Sequence, residues 1–302
     1  MSNALMGVAS RALLASYASL QTTSNNIANS STKGYSRQTA DMETAGGLYT
    51  GAGFFGQGVN VSTVTRAHNE YLSKEAASSS SIAAGDAARL SQLQQLEKIF
   101  VTGESGIGYS AGNMLNAFVD VANAPQDSSA RQVALARAQE VATRFKNAGD
   151  QINDLQSGVR NDLKTSMETV NGLAQQVAKL NDQIAATQGT GHTPNDLLDQ
   201  RDQLVSEIGK YVQVSTIPAG DGTLGVFIGG GQQLVLGNTA SSLTPVPDEF
   251  DPAKVQVGIT VAGKTRVMPP DSFGGGSIGG MLRFQNEDLV AARNQLGQMA
   301  AA

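Results

Sequence analysis

Apolar residues recur every seven positions along the first part of the chain. Met6, Leu13, Leu20 and Ile27 follow this spacing, with small residues between them. A seven-residue apolar repeat places its members on one narrow stripe of a helix, and it is typical of a helix that packs lengthwise against another helix. We predict that this helix ends near Asn29, because asparagine tolerates the left-handed backbone that commonly follows a helix.

The longest predicted helix lies in the middle of the chain. It begins after Pro125, where Asp127 is a suitable N-cap, and no proline follows until Pro194. Apolar positions alternate steps of three and four, with one stutter, and predict a coiled-coil helix to about Ala186. Further helical patterns cover residues 82–100, 113–123 and 193–211.

Residues 212–273 have the pattern of strands. Short apolar runs over 212–217, 224–228, 233–236 and 254–261 are separated by glycine-rich and proline-rich turns. They predict a small antiparallel unit inserted between helices. Leu282, Leu289 and Leu296 then restore a seven-residue repeat in a final helix.

The sequence therefore predicts a mainly α fold with a small β insertion, as an elongated helical bundle or coiled coil with an N-terminal rod helix and a flexible arm. The predicted segments are an axial helix and polar loop (1–35), a glycine-rich extended arm (36–81), a long-helix bundle (82–211), an antiparallel β insertion (212–273) and a returning bundle helix (274–302). Residues 1–35 carry few charges, and their stripe lacks a partner. We expect them to be disordered in an isolated copy and helical on assembly.

Composition excludes several kinds of site. The net charge of −5 argues against a nucleic-acid interface, which requires clustered basic residues. The chain has no cysteine, so disulfides and thiol chemistry are excluded. The sequence contains no run of about 20 apolar residues, which is the length that a membrane-spanning helix needs. Its first residues also lack the basic and apolar regions of a cleaved signal peptide.

The most informative motif joins the end of the first helix to a polar loop. From Ser24 to Gln38 it reads SNNIANSSTKGYSRQ. This motif closely resembles the N-terminal signature of bacterial flagellar axial proteins, and its GYSRQ ending resembles the hook-associated protein 1 family. Lys33 stands where that family more often has proline. The signature residues are Asn25, Asn26, Ala28, Asn29, Gly34, Tyr35, Ser36, Arg37 and Gln38.

Similarity to this family continues along the chain. It includes GQGVNV at 56–61, PQD followed by ARQ at 125–132, and PNDLLDQRDQLV at 194–205. Members of the family continue beyond this point and close with a second apolar helix that pairs with the first. From this resemblance, we expect that partner helix to lie outside the present chain.

The resemblance implies a structural role in the bacterial flagellum, where the protein would join hook to filament by helix packing and self-assemble into a ring. It implies type III export without a cleaved signal peptide and an extracellular location. The implied partners are copies of the same chain, the hook subunit, a second junction protein and an export chaperone. No catalytic residue, cofactor, metal, small-molecule substrate, nucleic acid or membrane partner is expected.

The stripe would then bury against the second apolar helix and against neighbouring copies. Asn25, Asn26 and Asn29 would fix the register of this packing through amide hydrogen bonds. The alternative is that these asparagines only end a helix.

Two other functions remain open. A rod or hook subunit of the same axial class is disfavoured by GYSRQ and by the long central helix. A flagellum-associated wall hydrolase would require a positioned pair of carboxylates in a cleft, whereas the acids here lie mostly on exposed helix faces.

Four short patterns resemble catalytic or binding motifs without their structural context. Residues 258–265 match the P-loop pattern, but the intervening residues alternate like a strand, so we interpret 262–264 as a hairpin turn. Residues 51–56 match GxGxxG but precede extended sequence and are interpreted as a loop. Residues 30–33 match SxxK without its partner motifs. His192 with Asp196, Asp199 and Asp202 has metal-ligand residue types, but helix-dipole and ion-pair roles explain these acids better.

Overall fold

The computed structural model describes residues 2–187 and 193–301. Helices account for 61% of the residues and strands for 18%, which confirms a mainly α fold with a small β part. The α-helices are α1 (Ser2–Ala28), α2 (Glu70–Glu97), α3 (Ile107–Asn123), α4 (Ser128–Thr187), α5 (Asn195–Tyr211), α6 (Gly276–Arg283) and α7 (Leu289–Ala301). The strands are β1 (Gln38–Thr44), β2 (Leu48–Thr50), β3 (Gly53–Phe55), β4 (Val59–Arg66), β5 (Val214–Pro218), β6 (Leu224–Ile228), β7 (Gln232–Leu236), β8 (Thr239–Ala240), β9 (Ser242–Pro247), β10 (Val255–Val261) and β11 (Lys264–Val267).

The long central helix follows its prediction closely. α4 extends from Ser128 to Thr187, and the Asp127 carboxylate accepts a hydrogen bond from the Ser129 N–H at 2.8 Å, as expected of an N-cap. Every apolar position of the predicted repeat from residue 138 to 177 is buried or half-buried. The repeat is therefore the buried face of α4, which confirms the prediction.

The N-terminal segment is helical in a single copy, contrary to the expected disorder. α1 ends at Ala28, one residue before the predicted end. The side of α1 that carries Val8 and Ala15 packs on the two-stranded antiparallel ribbon formed by β1 and β4. The sequence pattern did not predict this ribbon, because β1 is rich in polar residues.

Contacts between residues divide the chain into two compact units. The first comprises Met1–Ser79, Gly172–Gly209 and Val214–Ser241. It contains the ribbon, the β2–β3 hairpin and an antiparallel sheet in the order β5-β6-β7-β8. Asn181 is fully buried on α4, where its side chain exchanges hydrogen bonds with the backbone N–H and C=O of Leu224. This amide fixes the first residue of β6 to the helix.

The second unit comprises Ser80–Asn171, Lys210–Gln213 and Ser242–Ala302. Its antiparallel sheet has the order β11-β10-β9. A π-helical turn, Phe284–Asp288, separates α6 from α7. It places the buried side chain of Gln285 where it exchanges hydrogen bonds with the backbone N–H and C=O of Val255 at 3.1 and 3.0 Å. The strands of residues 212–273 thus form two sheets, one in each unit.

Two of the four short patterns that resemble binding motifs form hairpins. β10 and β11 are joined by Ala262 and Gly263, which have φ values of 48° and 78°, as a type I′ turn requires. This confirms the predicted turn and places Lys264 on a strand. Residues 51–56, which we interpreted as a loop, instead contribute the turn and second strand of the β2–β3 hairpin.

No helix within residues 2–187 and 193–301 is both long enough and apolar enough to cross a membrane.

Candidate interaction surface

The apolar stripe of α1 faces solvent. Met6, Leu13, Leu20 and Ile27 are between 67% and 72% exposed. The only charged residue of α1 is Arg11, and it lies outside the stripe. A continuous charge-free apolar surface of this kind is unusual on a chain that has no further partner.

The opposite side of α1 is anchored to the chain. Ala15 is buried, and the Arg11 guanidinium donates to the backbone oxygen and the side-chain Oε1 of Gln57 at 3.0 and 3.2 Å. Gly58 has φ +90°, and a Cβ built on it would lie 3.3 Å from Val8 Cγ1. The stripe therefore points away from the ribbon on which α1 packs.

Asn26 closes the loop that follows α1. Its Oδ1 accepts hydrogen bonds from the Tyr35 hydroxyl and the Gln38 N–H, both at 2.8 Å, and its Nδ2 donates to the Gln38 C=O at 2.8 Å. Asn29 Nδ2 donates to the Asn25 C=O at 3.1 Å. These bonds lie within the chain and favour the alternative in which the asparagines shape the helix end. A register role between copies stays a prediction.

The loop after α1 and the end of β4 both contact acidic residues of α5. The Ser36 N–H donates to Asp199 Oδ2 at 2.8 Å. Arg66, at the end of β4, contacts Asp199 Oδ1 at 2.9 Å and Asp202 Oδ2 at 2.6 Å. Asn195 Nδ2 donates to the Val64 C=O at 2.7 Å. We call Asp199, Asp202 and Arg66 the carboxylate–arginine cluster.

Gly34 is required where the loop approaches α5. Its φ of +85° is in the left-handed region, and a Cβ built on it would lie 2.8 Å from Gln203 Oε1. Beside it, Lys33 forms an exposed ion pair with Glu207 at 2.8 Å. The loop thus favours glycine at this position chiefly for its backbone conformation, since the end of the Gln203 side chain is flexible.

The pKa of one loop residue, Tyr35, is shifted by its surroundings. Burial, followed by the nearby charges of Asp196 and Asp199, raises the pKa of Tyr35 above its ordinary value of 10.0. The Tyr35 hydroxyl, protonated at neutral pH as an ordinary tyrosine is, donates to Asn26 and keeps its proton to a higher pH than usual.

Two further signature residues lie at the surface, and one of them also accepts a backbone hydrogen bond. Ala28 and Arg37 are exposed. The Arg37 C=O accepts a hydrogen bond from the Ala67 N–H at 2.7 Å. Sequence reasoning did not identify Arg66, although its place as the first charge after a long uncharged stretch was a usable signal.

The acids of α5 are occupied by contacts within the chain. Asp199 and Asp202 bind Arg66, and Asp196 accepts a long hydrogen bond from Gln38 Nε2 at 3.5 Å. His192 lies outside the described residues. Among the residues that the structure describes, no group of three His, Cys, Asp or Glu side chains has the geometry of a metal site.

Two family models match the chain. The model of the flagellar hook-associated protein FlgK helical domain matches residues 93–302. The model of the flagella basal body rod protein matches residues 6–35, a range that contains the stripe and most of the signature.

Curated relatives are hook-associated proteins. Flagellar hook-associated protein 1 of Salmonella typhimurium is 33% identical over 99% of this chain and 55% of its own length. The Bacillus subtilis protein of the same name is 31% identical over 71% of this chain and 44% of its own. The chain thus spans about half the length of the curated relatives that it matches.

A solved structure has the same fold. The flagellar hook junction protein FlgK from Burkholderia pseudomallei superposes with a TM-score of 0.69 at 32% identity, covering 75% of this chain and 41% of that chain.

Proposed function

Because the chain belongs to the flagellar hook-associated protein 1 family, we propose that it is a structural subunit that joins hook to filament by helix packing and self-assembles into a ring. The observation that carries the proposal is the exposed, charge-free stripe of α1, presented by a helix whose other side is anchored. The rod-protein match covers only residues 6–35, whereas the hook-associated match covers 93–302, so the junction role is favoured over a rod role.

Burial of the stripe supplies the driving force. Complete burial of a large aliphatic side chain stabilises by about 1.5 to 3 kcal/mol. The four stripe residues are roughly 70% exposed in one copy, so covering them contributes on the order of 4 to 8 kcal/mol per copy. This contribution offsets part of the roughly 4 to 15 kcal/mol that association costs in lost translational and rotational freedom.

The proposed partners are further copies of the chain, the hook subunit and a second junction protein, with a chaperone before export. The proposed location is the extracellular part of the flagellum, reached by type III export with an uncleaved N-terminal segment. The protein acts by packing and has no catalytic role.

The substitution Ile27→Asp tests this function. It places a charge on the stripe, at its C-terminal end, where desolvation without a partner costs several kcal/mol. Introduced into the chromosomal gene, it should allow export but prevent junction assembly, so that cells release unassembled flagellin into the medium. Ile27→Val is the matched control and should form filaments. Normal filaments and motility in the Ile27→Asp strain would refute the proposed function of the stripe.

A further inference from the structure

One methionine lies in the exposed stripe of α1. Met6 is 69% exposed, more than any other methionine among the residues that the structure describes. Met299 on α7 and Met42 on β1 are 49% and 45% exposed, whereas Met167 and Met268 are buried. The thioethers of the chain therefore differ widely in their access to solvent, and that of Met6 has the most.

A solvent-exposed thioether is open to oxidation. Oxidation converts methionine to its sulfoxide, which turns a flexible apolar side chain into a polar one. The chain has no cysteine, so no thiol of its own competes for an oxidant. Among the described methionines, Met6 is therefore the position at which we expect a sulfoxide to form first.

A sulfoxide at Met6 leaves the fold of one copy intact. The contacts that anchor α1 come from its other side, where Ala15 is buried, Val8 lies against Gly58 and Arg11 donates to Gln57. An oxygen added to the exposed side chain of Met6 stays hydrated in an isolated copy. The modified copy thus keeps its helix and its ribbon.

The same oxygen opposes packing of the stripe. Covering the stripe removes water from Met6, and the other stripe residues, Leu13, Leu20 and Ile27, have no hydrogen-bond donor in their side chains. A buried polar atom that loses its partner weakens packing by about fivefold or more. The expected result is a loss of assembly without a loss of folding.

We propose that Met6 is a modification site at which hydrogen peroxide blocks assembly. One oxygen of the peroxide is transferred to the Met6 sulfur, which is oxidised by two electrons, and the other oxygen leaves as water. The copy that carries the sulfoxide is excluded from the junction. A copy that has already assembled is protected, because its Met6 is covered. The inference rests on the proposed packing of the stripe.

Peptide mass spectrometry of the isolated protein tests the site. After a short treatment with hydrogen peroxide, sulfoxide should accumulate at Met6 well before it appears at Met167, which is fully buried. The treated protein should melt at the temperature of the untreated protein. Equal rates of oxidation at Met6 and Met167 would overturn the inference.

Cells that assemble new flagella in dilute hydrogen peroxide test the consequence. The wild type should form at least about fivefold fewer filaments than without peroxide. Met6→Leu keeps an apolar side chain without sulfur and should retain its filaments at the same dose. Met299→Leu is the matched control, because it removes an exposed methionine outside the stripe, and it should be as sensitive as the wild type. Equal loss in the wild type and in Met6→Leu, or no loss in the wild type, would contradict the inference.

A permanently polar side chain reproduces the sulfoxide without peroxide. Met6→Gln should be secreted and should melt at the temperature of the wild type, yet leave cells with few filaments. Normal filaments in this strain would show that a polar group at Met6 does not block assembly. If Met6→Gln is not secreted, the comparison of the wild type with Met6→Leu in peroxide decides.

The variant Ile27→Asp separates this inference from the proposed function. If Ile27→Asp abolishes filaments but Met6→Gln does not, the stripe functions and the modification site is wrong. If Ile27→Asp forms normal filaments while peroxide removes filaments from the wild type and not from Met6→Leu, the modification site holds and the proposed role of the whole stripe fails.

Discussion

The substitution Asp199→Ala should release the signature loop from α5. Asp199 is only 8% exposed in its side chain. It accepts hydrogen bonds from the Ser36 N–H in the loop and from Arg66 at the end of β4. One carboxylate therefore connects three elements, and its removal affects all of them.

The change in the free energy of loop opening follows from the contacts that Asp199→Ala breaks and from those that remain. Breaking a buried ion pair costs about 3 to 5 kcal/mol, and an unpaired buried N–H costs about 1 to 3 kcal/mol. Arg66 keeps its contact with Asp202 at 2.6 Å, which offsets part of the loss. We therefore expect Asp199→Ala to lower the free energy of loop opening by about 2 to 3 kcal/mol, a factor of roughly 25 to 150 in the opening equilibrium.

Hydrogen exchange of the peptide covering residues 30–38 measures this opening directly. Asp196→Ala is the matched control, because Asp196 is an exposed acid on the same helix whose contact with Gln38 is 3.5 Å long. It should change exchange by no more than about fivefold, since surface and helix-dipole effects stay below about 1 kcal/mol. Equal exchange rates in the two variants would show that the carboxylate–arginine cluster does not hold the loop on α5.

Three further predictions concern the loop and the second unit. Tyr35→Phe removes a hydrogen-bond donor and should destabilise the loop by about 1 kcal/mol. Because the pKa of Tyr35 is raised, its contribution is complete below pH 10.0 and is lost as pH rises through the folded-state pKa. An alkaline titration of loop exchange should therefore show an extra opening step that Tyr35→Phe lacks, and identical titrations would contradict this. Gly34→Ala should accelerate loop exchange at least about fivefold, since strain at positive φ beside Gln203 costs about 1 to 3 kcal/mol; unchanged exchange would show that the loop does not need a left-handed backbone at this position. Gln285→Leu should lower the free energy of unfolding in urea by about 2 to 4 kcal/mol, because two buried backbone groups lose their partner, and a change below about 0.5 kcal/mol would show that the amide is dispensable.

The sequence predicted the elements whose apolar spacing is long and regular. α4 has a long apolar repeat with a single stutter, and a capping aspartate, so both its existence and its ends were predictable. α2 begins at Glu70 instead of the predicted residue 82, because its first turns are rich in alanine and serine and show no apolar period. β9 contains Pro245 and Pro247, which conceal an edge strand from propensity arguments.

The signature loop could be located from sequence, but its partner could not. Asn26 and Gly34 are marked by their residue types and by the motif that contains them. Their contacts with β1 and α5 depend on tertiary folding, which brings Ser36 to Asp199 across 163 positions. No local pattern contains that information, and the acids of α5 therefore suggested helix-dipole and ion-pair roles instead of a contact with the loop.

Thiol labelling at Leu20 tests most directly whether the stripe of α1 is an assembly surface. A Leu20→Cys variant of this cysteine-free chain should react rapidly as an isolated protein, because Leu20 is 67% exposed. In assembled junctions it should be protected, while Phe250→Cys reacts rapidly in both states. Equal labelling of Leu20→Cys before and after assembly would contradict burial of the stripe between subunits.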